Sequence, residues 1–156
     1  MIQVEGLTRI FGTTTAIDGL NFSVKAGEIV GFLGLNGAGK TTTMRILAGS
    51  LGATSGEARI SGHCVRKEPQ RAKECVGYLP ERLPLHPEMT IRAYLDHAAR
   101  IKSVPDPHKA VERSIERTSL GQVAHRLIGN LSKGYRQRVG LAQALVHDPA
   151  VLILDE

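Results

Sequence analysis

Residues 34–41 read Gly-Leu-Asn-Gly-Ala-Gly-Lys-Thr and match the pattern G-x-x-x-x-G-K-[ST] at every fixed position. In such a loop the backbone N–H groups point inward at phosphate oxygens, and glycine tolerates the backbone angles that this requires. The helix that follows offers further unpaired N–H groups and the positive end of its dipole to the same anion. The pattern therefore predicts a loop that binds the phosphates of a nucleotide.

The side chains of this loop have separate expected roles. Lys40 would reach the β- and γ-phosphates and support catalysis, Thr41 would place its hydroxyl on Mg²⁺, and Thr42 would contact the α-phosphate. A glycine-rich turn without a ligand is the alternative, but the motif stands between a predicted strand and a predicted helix, as it should. The other loop residues predicted to surround the nucleotide are Asn36, Gly37, Ala38 and Gly39.

A magnesium nucleotide needs a second protein group, and carboxylates follow the apolar run Val151–Leu154. This run predicts a buried strand, and Asp155 would emerge at its carboxyl edge, where open α/β sheets bind ligands. We expect Asp155 to hold Mg²⁺ directly or through water, and Glu156 to act as the general base on the attacking water. An acidic turn after a buried strand is the plainer alternative, and some enzymes with this loop use a different base.

Strand patterns surround the loop. Ile2–Leu7 and Leu20–Val24 alternate like half-buried strands, with turns predicted at Gly12 and at Asp18-Gly19. The apolar residues of Glu28–Leu33 do not alternate, which predicts a central strand covered on both faces. Further predicted strands are Glu57–Ile60 and Cys75–Leu79.

Helical patterns fill most of the remaining sequence. The helix after the loop is predicted to end at Gly49 and Gly52. A helical pattern from residue 90 to residue 119 is broken at Pro105 and Pro107. Ser132 is the predicted N-cap of a last helix, which should end at Asp148-Pro149 because the residue before proline disfavours helix. The apolar faces expected on the first and last helices are Met44, Leu47, Ala48 and Leu51, and Tyr135, Val139, Ala142 and Leu145.

Composition narrows the class of protein. The formal charge of +5 suits a protein that handles phosphates, whereas nothing in the sequence supports nucleic acid as a partner. The sequence contains neither an apolar run long enough to span a membrane nor a secretory signal, so we expect a cytosolic chain. In that compartment Cys64 and Cys75 should be reduced. The mixture of strands and helices predicts an α/β fold with a helical insertion.

Three further segments resemble the ATP-binding domains of ABC transporters. Residues 131–138, Leu-Ser-Lys-Gly-Tyr-Arg-Gln-Arg, are similar to the signature LSGGQ-x-QR of that family. Residues 77–81, Gly-Tyr-Leu-Pro-Glu, resemble its Q-loop, and Phe11-Gly12 resembles the loop whose aromatic ring stacks on adenine. The resemblance covers the whole chain in the family order. It implies a P-loop NTPase (RecA-like) core with an N-terminal antiparallel β subdomain and a helical subdomain at about residues 82–147.

The resemblance also implies roles and partners. Two such domains close head to tail on Mg-ATP, so Ser132 and Gly134 would contact the γ-phosphate that the partner domain binds. Glu81 stands where glutamine is usual, in a position that senses the metal and supports catalysis. Phe11 would stack on adenine, although an aromatic after a strand is also often a core residue. A transmembrane permease is the other implied partner, with the ATP-binding domain peripheral at the inner face of the membrane.

Departures from the family pattern qualify the assignment. Lys133 and Tyr135 replace the usual glycine and glutamine, and Leu35 replaces a common proline. The combination of YLPE with LSKGY resembles a branch of bacterial exporters that includes drug-efflux and gliding-motility ATPases.

The family domain continues beyond the Asp-Glu pair, so we expect residues 1–156 to be a partial nucleotide-binding domain. Such a piece should be poorly stable, bind ATP weakly and be inactive by itself, whereas the complete dimer should hydrolyse ATP to drive transport. The alternatives are a soluble ABC-type ATPase of translation or DNA repair and a non-catalytic nucleotide-binding fragment. A GTPase-type switch would need an N-K-x-D motif, which the sequence lacks.

Overall fold

The structure of the chain is a computed structural model that describes residues 1–155. Its strands and helices alternate along the sequence, which places the chain in the α/β class. The strands are β1 (Ile2–Phe11), β2 (Thr14–Val24), β3 (Ser55–Ile60), β4 (His63–Cys64), β5 (Val76–Leu79) and β6 (Val151–Leu154). The α-helices are α1 (Lys40–Leu47), α2 (Pro69–Glu74), α3 (Ile91–Ile101), α4 (Pro107–Arg117) and α5 (Lys133–Leu145).

Contacts divide the chain into two units, and the first of them is Met1–Val76. It is built on an antiparallel sheet in the order β2-β1-β3-β4. One face of β1 is apolar and buried, and α1 contacts both β2 and β3. The sheet thus supports the helix that begins directly after the glycine-rich loop.

The hairpin of β1 and β2 turns at Gly12, as predicted, but not at Asp18-Gly19. Both of these residues lie inside β2, where the pairing register shifts. Gly19 has a φ of 55°, which a bulge accommodates without ending the strand. The prediction that the chain turns at Asp18-Gly19 was therefore wrong.

The predicted strand Glu28–Leu33 is not formed. Among residues 1–155 no strand pairs with this segment, and the side chains of Ile29 and Leu33 are 101% and 94% exposed. A strand is held by hydrogen bonds to a neighbour, so an apolar sequence without an adjacent edge stays irregular. Phe32 is the half-buried part of the segment, and its ring packs edge-on against Phe22 at a centroid distance of 5.4 Å.

The second unit begins at Gly77 and is mainly helical. Thr90 and Asp106 cap α3 and α4 with side-chain oxygens, and Pro107 opens α4, so the predicted break between two helices is confirmed. Ser132 caps α5, also as predicted. Helices α3, α4 and α5 share one apolar core, whose fully buried members include Leu95, Leu120 and Val139. Beside these helices, β5 and β6 form a two-stranded sheet.

Three predicted apolar faces differ in detail from the structure. In β6 only Val151 and Ile153 are buried, because alternate residues point to opposite faces and the described residues cover one of them. Tyr135 lies in the first turn of α5, outside the core, and is exposed. The buried residues of α1 are Thr43, Ile46 and Leu47, so its buried face is rotated from the prediction. Thr43 can be buried because its hydroxyl donates to the carbonyl of Gly39.

Within residues 1–155, none of the helices combines the length and apolar character needed to cross a bilayer. Both cysteines are free thiols, in agreement with the expectation from the sequence. The helices α3, α4 and α5 fall within residues 82–147, and the exact limits proposed for the helical subdomain stay a prediction.

Candidate functional site

The glycine-rich loop ends in a helix N-terminus that is shaped to receive an anion. Gly37 and Gly39 both have φ of 83°, in the left-handed region that favours glycine. Gly39 is the N-cap of α1, so no side chain at that position accepts from the first N–H groups of the helix. The first turn of α1 also contains no acidic residue. The N-terminus of α1 and the positive end of its dipole can therefore receive phosphate oxygens without competition from a side chain at residue 39.

The hairpin fixes the position of this helix N-terminus. A Cβ atom on Gly39 would lie 2.4 Å from the backbone oxygen of Ala16 and 3.1 Å from a side-chain carbon of Ile17. In the ladder Arg9 pairs with Ile17 and Ile10 with Thr15, so Ala16 is the extra residue of a bulge. The bulge presents its carbonyl where only a glycine fits, which explains the last glycine of the motif in terms of packing.

Lys40 bends over the loop that precedes it. Its Nζ donates to the carbonyl oxygens of Gly34 and Leu35 at 2.8 and 2.9 Å. The ammonium is thus held beside the backbone that is predicted to surround phosphates, and it carries three donors, of which these bonds use two. Thr41 is exposed and Thr42 is half-buried at the same end of α1. Asn36, Gly37 and Ala38 form the exposed rim of the loop.

Phe11 stands at the end of the hairpin that holds the loop. It pairs with Thr14, two residues before the bulge at Ala16, which corresponds to about 7 Å along the strand. Its side chain is 44% exposed, so it is not a core residue. The guanidinium carbon of Arg9 lies over the ring, 4.4 Å from its centroid. The structure therefore brings the predicted aromatic residue to the same end of the hairpin as the loop.

Asp155 belongs to the second unit, where it closes the β5–β6 pair. Its backbone N–H donates to the carbonyl of Leu79 at 2.9 Å, and its carboxylate accepts from the Tyr78 hydroxyl at 3.2 Å. The residue is only 3% exposed. A buried carboxylate aimed by a phenol at the end of a strand is a suitable ligand for a hard cation. Glu156, the predicted general base, lies outside the described residues.

The signature residues begin α5. Leu131 is buried in the helical core, while Ser132 accepts from the N–H of Tyr135 at 3.4 Å and Gly134 is exposed. The arrangement presents the first turn of α5 outward from a rigid core. The guanidinium of Arg138 lies over the Tyr135 ring at 5.4 Å, so the unusual aromatic in the signature has a partner of its own.

Glu81 meets the signature helix in one cavity. The cavity has a volume of about 370 Å³ and a mixed apolar and charged lining that includes Glu81, Leu83, Lys133, Arg136 and Gln137. Helix α5 approaches this segment closely, since a Cβ on Gly140 would lie 2.6 Å from Leu83. Glu81 is exposed, and the lining of the cavity also includes two cationic residues, Lys133 and Arg136. The structure thus joins the Q-loop-like segment to the signature, both within the second unit.

Some contacts of the site were not foreseen from the sequence. Two of these contacts join residues that no local pattern relates: the Ala16 carbonyl lies beneath Gly39, and the Tyr78 hydroxyl donates to Asp155. The third is the contact of Arg9 with the Phe11 ring. Arg9 and Phe11 are two apart on β1, and alternate residues of a strand share a face, which is the one signal that could have revealed their contact.

The residues of the loop fit a nucleoside triphosphate with magnesium. Backbone donors, a lysine ammonium and the hydroxyl of Thr41 match the phosphates and the metal. Among the residues that the structure describes, no group of three or more His, Cys, Asp or Glu side chains could hold a metal ion alone.

Comparisons with known proteins agree with this geometry. The family model described as ABC transporter matches residues 17–156. The chain is 39% identical over 158 aligned positions to the bacitracin transport ATP-binding protein BcrA of Bacillus licheniformis, covering 100% of the chain and 51% of that protein. It therefore spans about half the length of this curated relative.

Two solved structures have the same fold. One, described as the ATP-binding subunit of an ABC transporter, superposes with a TM-score of 0.88 at 27% identity, covering 100% of this chain and 66% of that one. The other is CbiO1 of Clostridium perfringens, described as part of the ABC transporter complex CbiONQ. It has a TM-score of 0.85 at 29% identity and covers 99% of this chain and 64% of that one. The predicted P-loop fold is confirmed by these structures.

Proposed function

The chain belongs to the ABC transporter family of ATP-binding proteins, and we propose that it binds Mg-ATP and, in the complete dimeric protein, hydrolyses it to drive transport by a membrane permease. One observation carries the proposal. The loop of residues 34–39 ends in a helix N-terminus whose N-cap is a glycine without a capping side chain, and the Lys40 ammonium is held over the same loop. An arrangement of donors and positive charge of this kind selects a polyphosphate.

The residues of the first unit divide the nucleotide between them. The Lys40 ammonium, which now donates to two loop carbonyls, would bind the β- and γ-phosphate oxygens, and the Thr41 hydroxyl would be a ligand of Mg²⁺. Thr42 would contact the α-phosphate, and the loop rim formed by Asn36, Gly37 and Ala38 would surround the phosphates. In this structure the N–H of Ala38 donates to the carbonyl of Leu35 at 3.1 Å. The exposed ring of Phe11 stacks on adenine.

The residues of the second unit serve the metal and the water. Asp155, whose carboxylate accepts from the Tyr78 hydroxyl, would hold Mg²⁺ directly or through a water molecule. Glu156 takes a proton from the attacking water as the general base. Glu81 completes this group in place of the usual glutamine, and as a carboxylate it contributes a charge to the metal where glutamine would contribute none.

A second copy of the domain supplies the remaining contacts. Ser132 and Gly134 face outward at the start of α5, where the helix N-terminus can receive the γ-phosphate that the partner domain binds. Binding of two ATP molecules then closes the dimer, and loss of the γ-phosphate opens it. Homodimers and heterodimers both satisfy this arrangement.

The permease is proposed to contact the segment that follows Glu81. Pro84 and Pro87 stiffen this segment, and Leu83, Leu85 and Pro87 line the cavity shared with the signature helix. Movement of the permease would therefore be transmitted to Lys133 and Arg136 in the first turn of α5. The name of the bacitracin relative assigns it to transport, and we propose on this basis that the present chain acts at the cytoplasmic face of a membrane.

A binding measurement with a matched pair of variants tests the proposal. Lys40→Ala should abolish binding of ATP and of inorganic tripolyphosphate, because it removes the cation held over the loop. Lys67→Ala removes an exposed lysine whose partner is Glu57 and should leave both affinities unchanged. Equal binding by Lys40→Ala and the wild type would show that the loop does not bind phosphate.

A further inference from the structure

Arg9 covers one face of the aromatic ring that the proposed function assigns to adenine. The guanidinium carbon is 4.4 Å from the centroid of the Phe11 ring, well within the distance for a cation–π contact. The two residues are two positions apart on β1, so both side chains leave the strand on the same side. Phe11 nevertheless keeps 44% of its surface exposed. Because the guanidinium occupies one face of the ring, a ligand can stack only on the other face.

The guanidinium of Arg9 is also held by a backbone carbonyl. Its Nη1 donates to the carbonyl of Gly52 at 3.0 Å, on the segment between α1 and β3. Its Nε is buried and has no hydrogen-bond partner within the described part of the chain, so Arg9 is oriented by the ring and by Gly52. The same segment supports the end of β1, where Thr54 accepts from the N–H of Ile10 at 3.0 Å. Arg9 therefore connects the hairpin end to the segment that follows the phosphate-loop helix.

We infer that Arg9 is a positioning residue for the nucleobase: it fixes the orientation of the Phe11 ring and leaves the opposite face of that ring for the base. This inference rests on the proposed function, since it concerns how the same nucleotide is bound. Two physical effects contribute. The anchored guanidinium reduces the freedom of the exposed ring before binding, so less entropy is lost when the base stacks. A cation on the far face also draws electron density from the ring, which favours stacking on an electron-rich purine.

Lysine cannot replace Arg9 in this role. Stacking on an aromatic face and forked donation to a carbonyl both depend on a planar guanidinium, whereas an ammonium is a compact charge on a flexible stem. Arg9→Lys keeps the charge near the phosphate loop and loses the stacking, so it separates positioning from general attraction of anions.

The test compares ATP with inorganic tripolyphosphate, which has the phosphates and lacks the base. Titration calorimetry on the protein carrying this chain would measure both affinities for the wild type, Arg9→Met, Arg9→Lys and Phe11→Leu. Arg9→Met should weaken ATP binding by at most about fivefold, because the cation–π energy at an exposed site sets the upper limit of the effect, and should leave tripolyphosphate binding unchanged. Arg9→Lys should recover only part of the loss. Arg71→Met, which removes an exposed arginine from α2, should change neither affinity.

A double-mutant cycle distinguishes positioning from support of the fold. In the Phe11→Leu background, Arg9→Met should have no further effect on the ratio of the two affinities, because the ring that Arg9 holds is gone. Equal loss of ATP and tripolyphosphate binding in Arg9→Met would overturn the inference, since the arginine would then act through the fold or through charge alone. Unchanged ATP binding would overturn it as well. If the wild type bound no tripolyphosphate, the phosphate loop itself would be disproved, and the role of Arg9 with it.

Discussion

Two glycines of the phosphate loop form a matched pair on which the packing of the loop can be measured. Gly37 and Gly39 have the same φ of 83°, but they differ in their surroundings. A Cβ on Gly37 meets nothing within 4 Å, whereas a Cβ on Gly39 lies 2.4 Å from the Ala16 oxygen. Alanine at either position has to adopt the left-handed conformation, which costs about 1–2 kcal/mol. Only Gly39→Ala must also displace a backbone carbonyl.

The additional cost at Gly39 follows from the distance. Ordinary contact begins near 3.4 Å, so the Ala16 carbonyl must move by about 1 Å (3.4 less 2.4). Overpacking of this kind costs about 1–3 kcal/mol. Gly39→Ala should therefore lower the free energy of unfolding by about 2–5 kcal/mol and Gly37→Ala by about 1–2 kcal/mol. Against a typical total of about 5–15 kcal/mol, the first loss is large.

Urea unfolding without nucleotide measures this difference directly, with circular dichroism as the signal. Nucleotide has to be left out because a bound ligand would add its own stabilisation to each variant. If the two variants lost the same free energy of unfolding, the Ala16 bulge would not constrain the loop.

Four further predictions concern single side chains. Ser132→Ala should lower the free energy of unfolding by about 0.5–2 kcal/mol in thermal unfolding, because the cap of α5 is lost, and Ser132→Asn should restore most of it. Burial raises the pKa of the Tyr94 phenol above its ordinary 10.0, so the stability it gives is complete below pH 10 and is lost as the pH rises through the raised value. Above pH 10 the wild type should therefore lose more stability than Tyr94→Phe, and parallel curves would contradict this. Asp155→Asn should reduce the gain in ATP affinity that Mg²⁺ produces, and an unchanged gain would remove it from the metal site. In the complete protein Glu156→Gln should bind ATP and fail to release phosphate, whereas full turnover would disprove its role as base.

The sequence predicted the parts of the site that depend on neighbouring residues. The phosphate loop pattern and the cap Ser132 of α5 both rest on interactions within a few residues, and local sequence contains them in full. The caps Thr90 and Asp106 are just as local, but they were recognised only in the structure. The break at Pro107 is equally local, because proline restricts its own backbone and that of the residue before it.

The tertiary structure decided those features that depend on contacts between residues far apart in the sequence. Glu28–Leu33 has the composition of a buried strand and remains irregular, since a strand also needs an adjacent edge to bond with. The bulge at Ala16 beneath Gly39 and the phenol of Tyr78 on Asp155 join residues far apart in sequence. Composition and spacing determine what each segment can become locally, while long-range hydrogen bonds and packing determine which neighbour it meets.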